Sequence, residues 1–293
     1  MPAAEVDVSP DLVRQLLAAQ QPDLAHLAIE VMANGWDNVM YRVGDVLLAR
    51  LPRREAAAGL VVREQRWLPV LQPRLPLPVP APVREGRPGS GYPWPWSIVP
   101  FLPGQVAARN PPADWRDAAI SLGRFLAALH VPAPPDAPAN PLRGVPLADR
   151  GARLTRHLSA VGGLADYGAV IRAWEAALAA PAWHEPAVWL HGDLHPANIV
   201  VHRGRISGVI DFGDITSGDP ANDLSVAWML LPARYHDDFR SAYRPASQYA
   251  AGDDTWARAR GWALALSLAM LANSADNPQI ADIGHSTLSA VLA

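Results

Sequence analysis

The chain is predicted to be an α+β protein, with antiparallel strands and one or two helices first and a mainly helical part after them. Three observations predict this. β-rich runs separated by Gly-Asp and Gly-rich turns fill the first hundred residues. A breaker, Leu102-Pro103-Gly104, follows. Beyond it, apolar residues recur at helical spacing almost to the end. The length of 293 residues suits two domains, placed here at 1–101 and 102–293.

Ser9-Pro10-Asp11 starts a helix, with Ser9 as N-cap, Pro10 in the first turn and an apolar stripe of Leu12, Leu16, Leu17 and Ala19. From Ile29 the pattern turns to strands, and Val39–Val43 and Val46–Leu51 flank the hairpin signal Gly44-Asp45. Arg53–Leu71 reads as a helix carrying Leu60, Glu64, Trp67 and Leu68. The Pro-rich segment Pro73–Pro82 leads to a strand pair within Val83–Phe101, around Gly86–Gly91. After the breaker, Asp114–His130 is an amphipathic helix, and Leu147–Ala180 gives two helices broken near Gly162-Gly163. Asn198–Val201 and Ile206–Ile210 form a hairpin about Gly204. Asp219-Pro220 caps a helix through Leu231. Ala233–Tyr243, Asp253–Ala272 and the C-terminus complete the helical part.

Composition excludes several classes of function. Half of the residues are hydrophobic, so a sizeable core is available, and the net charge of −3 gives no basic field for nucleic acid or an anionic membrane. With no Cys there is no disulfide, zinc-thiolate site or Cys nucleophile. Met1–Pro10 is acidic without an apolar core, which is not a secretory signal. The longest apolar run, Trp262–Ala272, is too short to span a bilayer. A soluble cytoplasmic protein is expected.

The stretch from His191 to Gly213 carries the chemistry. His191-Gly192-Asp193-Leu194-His195-Pro196-Ala197-Asn198 precedes the short hairpin, and Asp211-Phe212-Gly213 follows it. Phosphoryl transfer needs metal ions on a polyanionic donor and a carboxylate to orient the attacking hydroxyl. Asn198 and Asp211 offer hard oxygen ligands suited to Mg²⁺, and Asp193 offers the carboxylate. The protein-kinase pattern H-R-D-L-x-x-x-N with D-F-G is kept except for its Arg, replaced by Gly192. Taken singly, Asp193 and Asn198 would be ordinary turn residues, and it is their joint spacing that points to kinase chemistry.

On these motifs, together with Ile210–Asp214 and Gly218-Asp219-Pro220-Ala221-Asn222-Asp223-Leu224, the chain resembles the aminoglycoside phosphotransferase family of small-molecule kinases. The resemblance runs from about Gly35 to Leu231. It implies a two-lobed, protein-kinase-like fold, ATP or GTP as co-substrate and Mg²⁺ as cofactor. By that resemblance Asp193 is the catalytic base, and Asn198 and Asp211 are the metal ligands. His191 and His195 support the loop, and Asp223 holds it through backbone hydrogen bonds. Gly192, in place of the Arg that senses a phosphorylated activation loop, implies a constitutively active enzyme and speaks against a protein kinase, as does His195.

The nucleotide side is implied more loosely. Gly35 and Asn38 belong to the loop that would cover the phosphates, which has one Gly. All 25 basic residues other than His are Arg, and Arg50 falls where kinases place their phosphate-binding Lys. Arg can grip phosphate oxygens bidentately. Glu64 is its expected partner, with Glu55 as the alternative. The adenine hinge should lie in Ile98–Leu102. Because Pro100 lacks an N–H, Phe101 or Leu102 must donate to the base.

The acceptor is expected to be a small hydroxylated molecule, bound near a helical insertion at about 142–180. Arg143, Arg150, Arg153 and Arg156 stand there against Asp149 and Asp166, which argues against a polycationic ligand. The pairs Asp237-Asp238 and Asp253-Asp254 could supply acidity but read more naturally as helix ends. The competing reading is a pseudokinase-like nucleotide-binding module without efficient transfer, motivated by Arg50 and the single-Gly loop.

Overall fold

The computed structural model describes residues 3–163, 166–244 and 251–293. Met1 and Pro2 of the N-terminal reading, and residues 164–165 of the expected insertion, lie outside the described residues. The chain divides into two compact units.

The first unit comprises Met1–Pro73, Pro78–Pro103 and Val209–Gly213. Helix α1 (Pro10–Gln20) is capped by Ser9, whose Oγ accepts from Leu12 N at 3.2 Å. Its buried face is Val13, Leu16 and Leu17. Val13 therefore replaces Ala19 of the predicted stripe, because Ala19 rotates onto the exposed side. Strands β1 (Ile29–Asn34), β2 (Asn38–Val43) and β3 (Leu47–Pro52) are followed by helix α2 (Glu55–Leu71), then β4 (Arg84–Gly86) and β5 (Trp96–Pro100). They form an antiparallel sheet in the order β1-β2-β3-β5-β4. Alternation along β2 sends Val39, Tyr41 and Val43 into a core with Leu16, Leu17, Ala49, Leu51, Trp96 and Ile98. The same alternation on β3 turns Arg50 to the other face, where it meets Glu64 of α2.

The second unit comprises Arg74–Leu77, Gly104–Gly208 and Asp214–Ala293. In order it holds β6 (Gln105–Val106), α3 (Trp115–Leu129), α4 (Gly151–Val161), α5 (Tyr167–Leu178), β7 (Val188–Leu190), β8 (Ile199–His202), β9 (Arg205–Val209) and β10 (Thr216–Gly218). The helices α6 (Ala221–Leu224), α7 (Val226–Leu230), α8 (His236–Ala242), α9 (Asp253–Asn273) and α10 (Pro278–Leu292) follow. The long α9 is buried along much of its length and packs against α4, α5, α6 and α10. Strands β6, β8 and β9 form one small sheet, and β10 pairs antiparallel with β7. Three short strands thus join the predicted hairpin in an otherwise helical unit. The β8–β9 turn has positive φ at both Arg203 (51°) and Gly204 (77°), the geometry a two-residue hairpin requires.

Two local readings are corrected. Asn198 closes a 3₁₀ turn (Pro196–Asn198) ahead of β8 rather than opening the strand. Asp219 is more than a cap. Its Oδ1 accepts from Ala221 N at 3.0 Å, while Oδ2 pairs with buried Arg258 of α9 at 2.7 Å. Among the described residues no helix is long and apolar enough to cross a membrane.

Candidate active site

In the second unit the loop after β7 is pinned from beneath by one buried carboxylate. Asp223 Oδ2 accepts from His191 N at 2.7 Å and Oδ1 from Gly192 N at 3.0 Å. Asn222 Nδ2 donates to Gly192 O at 3.0 Å and to Asp223 Oδ1 at 3.1 Å. His130 Nε2 lies 3.3 Å from Asp223 Oδ2, and its Nδ1 is 2.8 Å from the Tyr243 hydroxyl. Burial alone would raise the Asp223 carboxyl. The hydrogen bond and charge of His130, with help from His191, hold it below its ordinary value instead.

Gly192 has φ of +85°, and a Cβ there would sit 2.3 Å from Asp214 O. No side chain fits at that position, so the kinase Arg is excluded by geometry. Gly192→Ala is expected to cost about 1–3 kcal/mol from backbone strain alone, read as a lower urea midpoint.

The pinned loop presents Asp193. Its amide donates to His191 Nδ1 at 3.2 Å, and its carbonyl accepts from Asn198 Nδ2 at 2.9 Å. That bond uses the nitrogen of the Asn198 amide. Asn198 Oδ1 has no hydrogen-bond partner among the described residues, as suits a cation ligand. His195 Nδ1 accepts from Ala197 N at 3.2 Å, so its proton sits on Nε2, 3.4 Å from Asp193 Oδ2. Arg143 Nη2 donates to Asp193 Oδ1 at 2.5 Å, and its Nε lies 3.8 Å from Asp214 Oδ2. Burial opposes ionisation of Asp193, but Arg143, His195 and His191 outweigh it and hold the carboxyl well below the usual range.

The first unit gathers a second cluster. Arg50 Nη1 donates to Glu64 Oε1 at 2.5 Å, and Nη2 to Asp211 Oδ1 at 3.1 Å. The hydrogen-bond network turns the Asn38 amide oxygen toward Arg50, accepting from Nε at 3.2 Å and Nη2 at 3.1 Å. Burial pushes the Glu64 carboxyl up to about 7 against the pull of Arg50. Asp211 has φ of 64°, a left-handed conformation unusual outside Gly. Its side chain is 59% exposed, and Oδ2 has no partner among the described residues, so a carboxylate oxygen faces solvent. Among the described residues no group of three or more His, Asp or Glu is arranged to hold a metal. A cation on Asn198 or Asp211 would take its other ligands from elsewhere, as Mg²⁺ does from waters and phosphates.

Gly35 N donates to Asn38 O at 2.9 Å, closing the β1–β2 turn. Arg53 braces that turn through Asn34 Oδ1 at 2.9 Å and Gly35 O at 3.1 Å, and Arg54 pairs with Asp37. In the expected hinge one reading is corrected. Phe101 N already donates to Val46 O at 2.8 Å, and its ring lies under Arg42, with 3.6 Å from guanidinium carbon to ring centroid. Leu102 N–H has no partner among the described residues and is the donor left over.

Nothing in the sequence marks the contacts of Arg143, one charge among several in its segment, or of Asn222, inside the Gly218–Leu224 motif. The same holds for the turn contacts of Arg53 and Arg54. Adjacency to Arg50 was the one signal available for those two. Asp237-Asp238 and Asp253-Asp254 occupy the first turns of α8 and α9, where carboxylates complement the helix dipole.

A model of the phosphotransferase enzyme family matches residues 28–262. The chain belongs to that family. This phosphotransferase shares its kinase-like α+β fold with solved structures. The GDP complex of wild-type aminoglycoside 2'-phosphotransferase-IIIa is 18% identical with a TM-score of 0.69, covering 95% of this chain and 97% of that one. The apoenzyme of macrolide 2'-phosphotransferase MphH from Brachybacterium faecium is 24% identical with a TM-score of 0.61, covering 95% and 97%. A streptomycin–ATP ternary complex of APH(2")-IIa is 18% identical with a TM-score of 0.61, covering 91% of each. No curated protein matches the phosphotransferase significantly.

Proposed function

We propose that this phosphotransferase moves the γ-phosphoryl group of ATP or GTP to a hydroxyl of a small molecule with the help of Mg²⁺. The observation that carries the reading is an ionised Asp193 whose loop also presents an amide oxygen, Asn198 Oδ1, without a protein partner. Asp193 accepts the hydrogen bond of the acceptor hydroxyl and takes its proton as the oxygen bonds to phosphorus and the bond to the β-phosphate oxygen breaks. His195 and His191 keep that carboxylate charged and oriented. Asn198 and Asp211 are the ligands assigned to Mg²⁺, which when bound neutralises charge developing on the phosphate oxygens. Arg50 serves the donor phosphates and steadies Asp211, Glu64 braces Arg50, and Gly35 and Asn38 form the loop over the phosphates. Leu102 N–H donates to the base. Nucleotide binding is assigned to residues 1–101, joined by the Val209–Gly213 segment that brings Asp211 to Arg50, and the catalytic loop and acceptor site to 102–293, with an insertion at about 142–180.

The nucleotide complexes among the similar structures support a nucleoside triphosphate as co-substrate. No nucleic acid or membrane partner enters this reading, and the protein is placed in the cytoplasm.

A nucleotide-binding module without efficient transfer is the second reading, favoured by Arg50 being held by Glu64, Asn38 and Asp211 together. An acceptor screen with ATP and with GTP, read by mass increase of the acceptor, separates the two. A Mg²⁺-dependent gain of one phosphoryl group is the expected result. Nucleotide binding without a phosphorylated product across the screen would favour the module.

A further inference from the structure

Arg143 flanks Asp193, the carboxylate proposed above to receive the acceptor hydroxyl. Its Nη2 is bonded to Asp193 Oδ1 at 2.5 Å, and Nε is 3.8 Å from Asp214 Oδ2, beyond hydrogen-bond reach. Nη1 has no partner among the described residues, and the side chain keeps 18% of its surface exposed. Asp214 is itself engaged by Asn140 Nδ2 at 2.9 Å. Part of the guanidinium fork therefore faces outward beside the carboxylate that would receive the acceptor hydroxyl. Such a fork matches the paired oxygens of a carboxylate or phosphate.

Arg143 does not stand alone. Seven residues on, Arg150 is only 5% exposed, and its Nε and Nη1 lack any hydrogen-bond partner. No carboxylate pairs with it among the described residues. Its guanidinium faces the Trp262 ring, 5.4 Å from the centroid. Burial, with repulsion from Arg143 and Arg153, draws it down to about 10, which still leaves it charged at neutral pH. Arg150 also precedes the first turn of α4, which holds no acidic residue. Exposed Arg153 and Arg156 follow on the same helix. Asp149 is the one carboxylate of this stretch, and it is exposed. Arg143 itself has Asp193 and, at 3.8 Å, Asp214 beside it, so the uncompensated charge of this segment is that of Arg150, a buried cation with no carboxylate partner among the described residues, which is costly.

We infer that Arg143 is a specificity-determining residue, and that the acceptor carries an anionic group, a carboxylate or a phosphate, next to the hydroxyl presented to Asp193. Resting on the phosphotransferase reading above, this names its substrate class. The anionic oxygens bridge to the outward N–H groups of Arg143 while Nη2 stays on Asp193. An ammonium arriving at the same place meets a like charge, so polycations are disfavoured.

The test titrates wild type and Arg143→Gln with inorganic phosphate, malonate and kanamycin at constant ionic strength. A non-hydrolysable ATP analogue with Mg²⁺ is present to fill the nucleotide site. Wild type is expected to bind phosphate or malonate at least tenfold more tightly than Arg143→Gln, and more tightly than kanamycin. A response to phosphate alone identifies a phosphate ester as the acceptor, and a response to malonate identifies a carboxylate. Arg143→Lys, which keeps the charge but not the fork, should recover part of the binding and checks that loss in Gln is not loss of folding. The inference is overturned if neither anion binds, if Arg143→Gln binds them equally, or if kanamycin binds as well as they do. Transfer to cationic acceptors in the screen would sink this inference and leave the phosphotransferase reading standing. Arg143-dependent anion binding with no transfer to any acceptor would do the reverse.

Discussion

Asp193→Asn is expected to bind Mg²⁺-nucleotide with near wild-type affinity and to lose about 10²–10⁴-fold in transfer rate, the range associated with a positioned general base. The substitution keeps volume and shape. Its backbone bonds to His191 and Asn198 do not depend on the side-chain charge. What it removes is an anion that stays ionised despite burial, because Arg143, His195 and His191 surround it. Single-turnover transfer beside nucleotide titration separates the two effects. Equal transfer rates in variant and wild type would reject Asp193 as the base.

Asp223→Ala should destabilise the protein by about 3–5 kcal/mol, the cost of breaking a buried charged network by removing one partner. It strands the amides of His191 and Gly192 and leaves His130 facing an empty site. Asn at this position is no remedy, because one of the two amides would then face an NH₂ group. Denaturant midpoints measure the loss. The pH dependence has a definite sign. The folded Asp223 carboxyl lies below its unfolded value of about 3.9. Its contribution is therefore present at neutral pH and fades as the pH falls through and below that value. Between pH 7 and 5 this group should leave wild-type stability unchanged. Below about pH 4 the difference between wild type and Asp223→Ala should shrink. A difference that instead grew toward acid would contradict the pairing with His130 and the loop amides.

The alternation Val39-Tyr41-Val43 was legible because a half-buried strand must repeat every two residues. Likewise Ser9-Pro10 announced α1, and Gly204 announced the β8–β9 turn. The smaller errors arose where a local cue met tertiary packing. Asp219 looks like a cap in one dimension and also serves as the counter-ion of Arg258, 39 residues away. Phe101 looked available until the β3–β5 pairing brought Val46 O to its amide. Arg143 registered only as part of a charge count, since nothing local links it to a carboxylate 50 residues later.

Sequence alone singled out the residues proposed here for phosphoryl transfer, His191 to Asn198 with Asp211-Phe212-Gly213, because that chemistry demands particular side chains at spacings a single loop and hairpin can present. It also located the long helices and the strands of the first unit, through their different apolar periods, but not the short strands β6, β7 and β10, whose two or three residues are too few to show a period. The tertiary structure decided which groups are already committed and which are free. Asn198 lends its nitrogen to Asp193 and keeps its oxygen, Asp211 stands in a left-handed backbone, and Arg143 is bonded to the Asp193 carboxylate. Those states depend on distances between residues far apart in the chain, and hydrogen bonds and charges act through distance, not through sequence order.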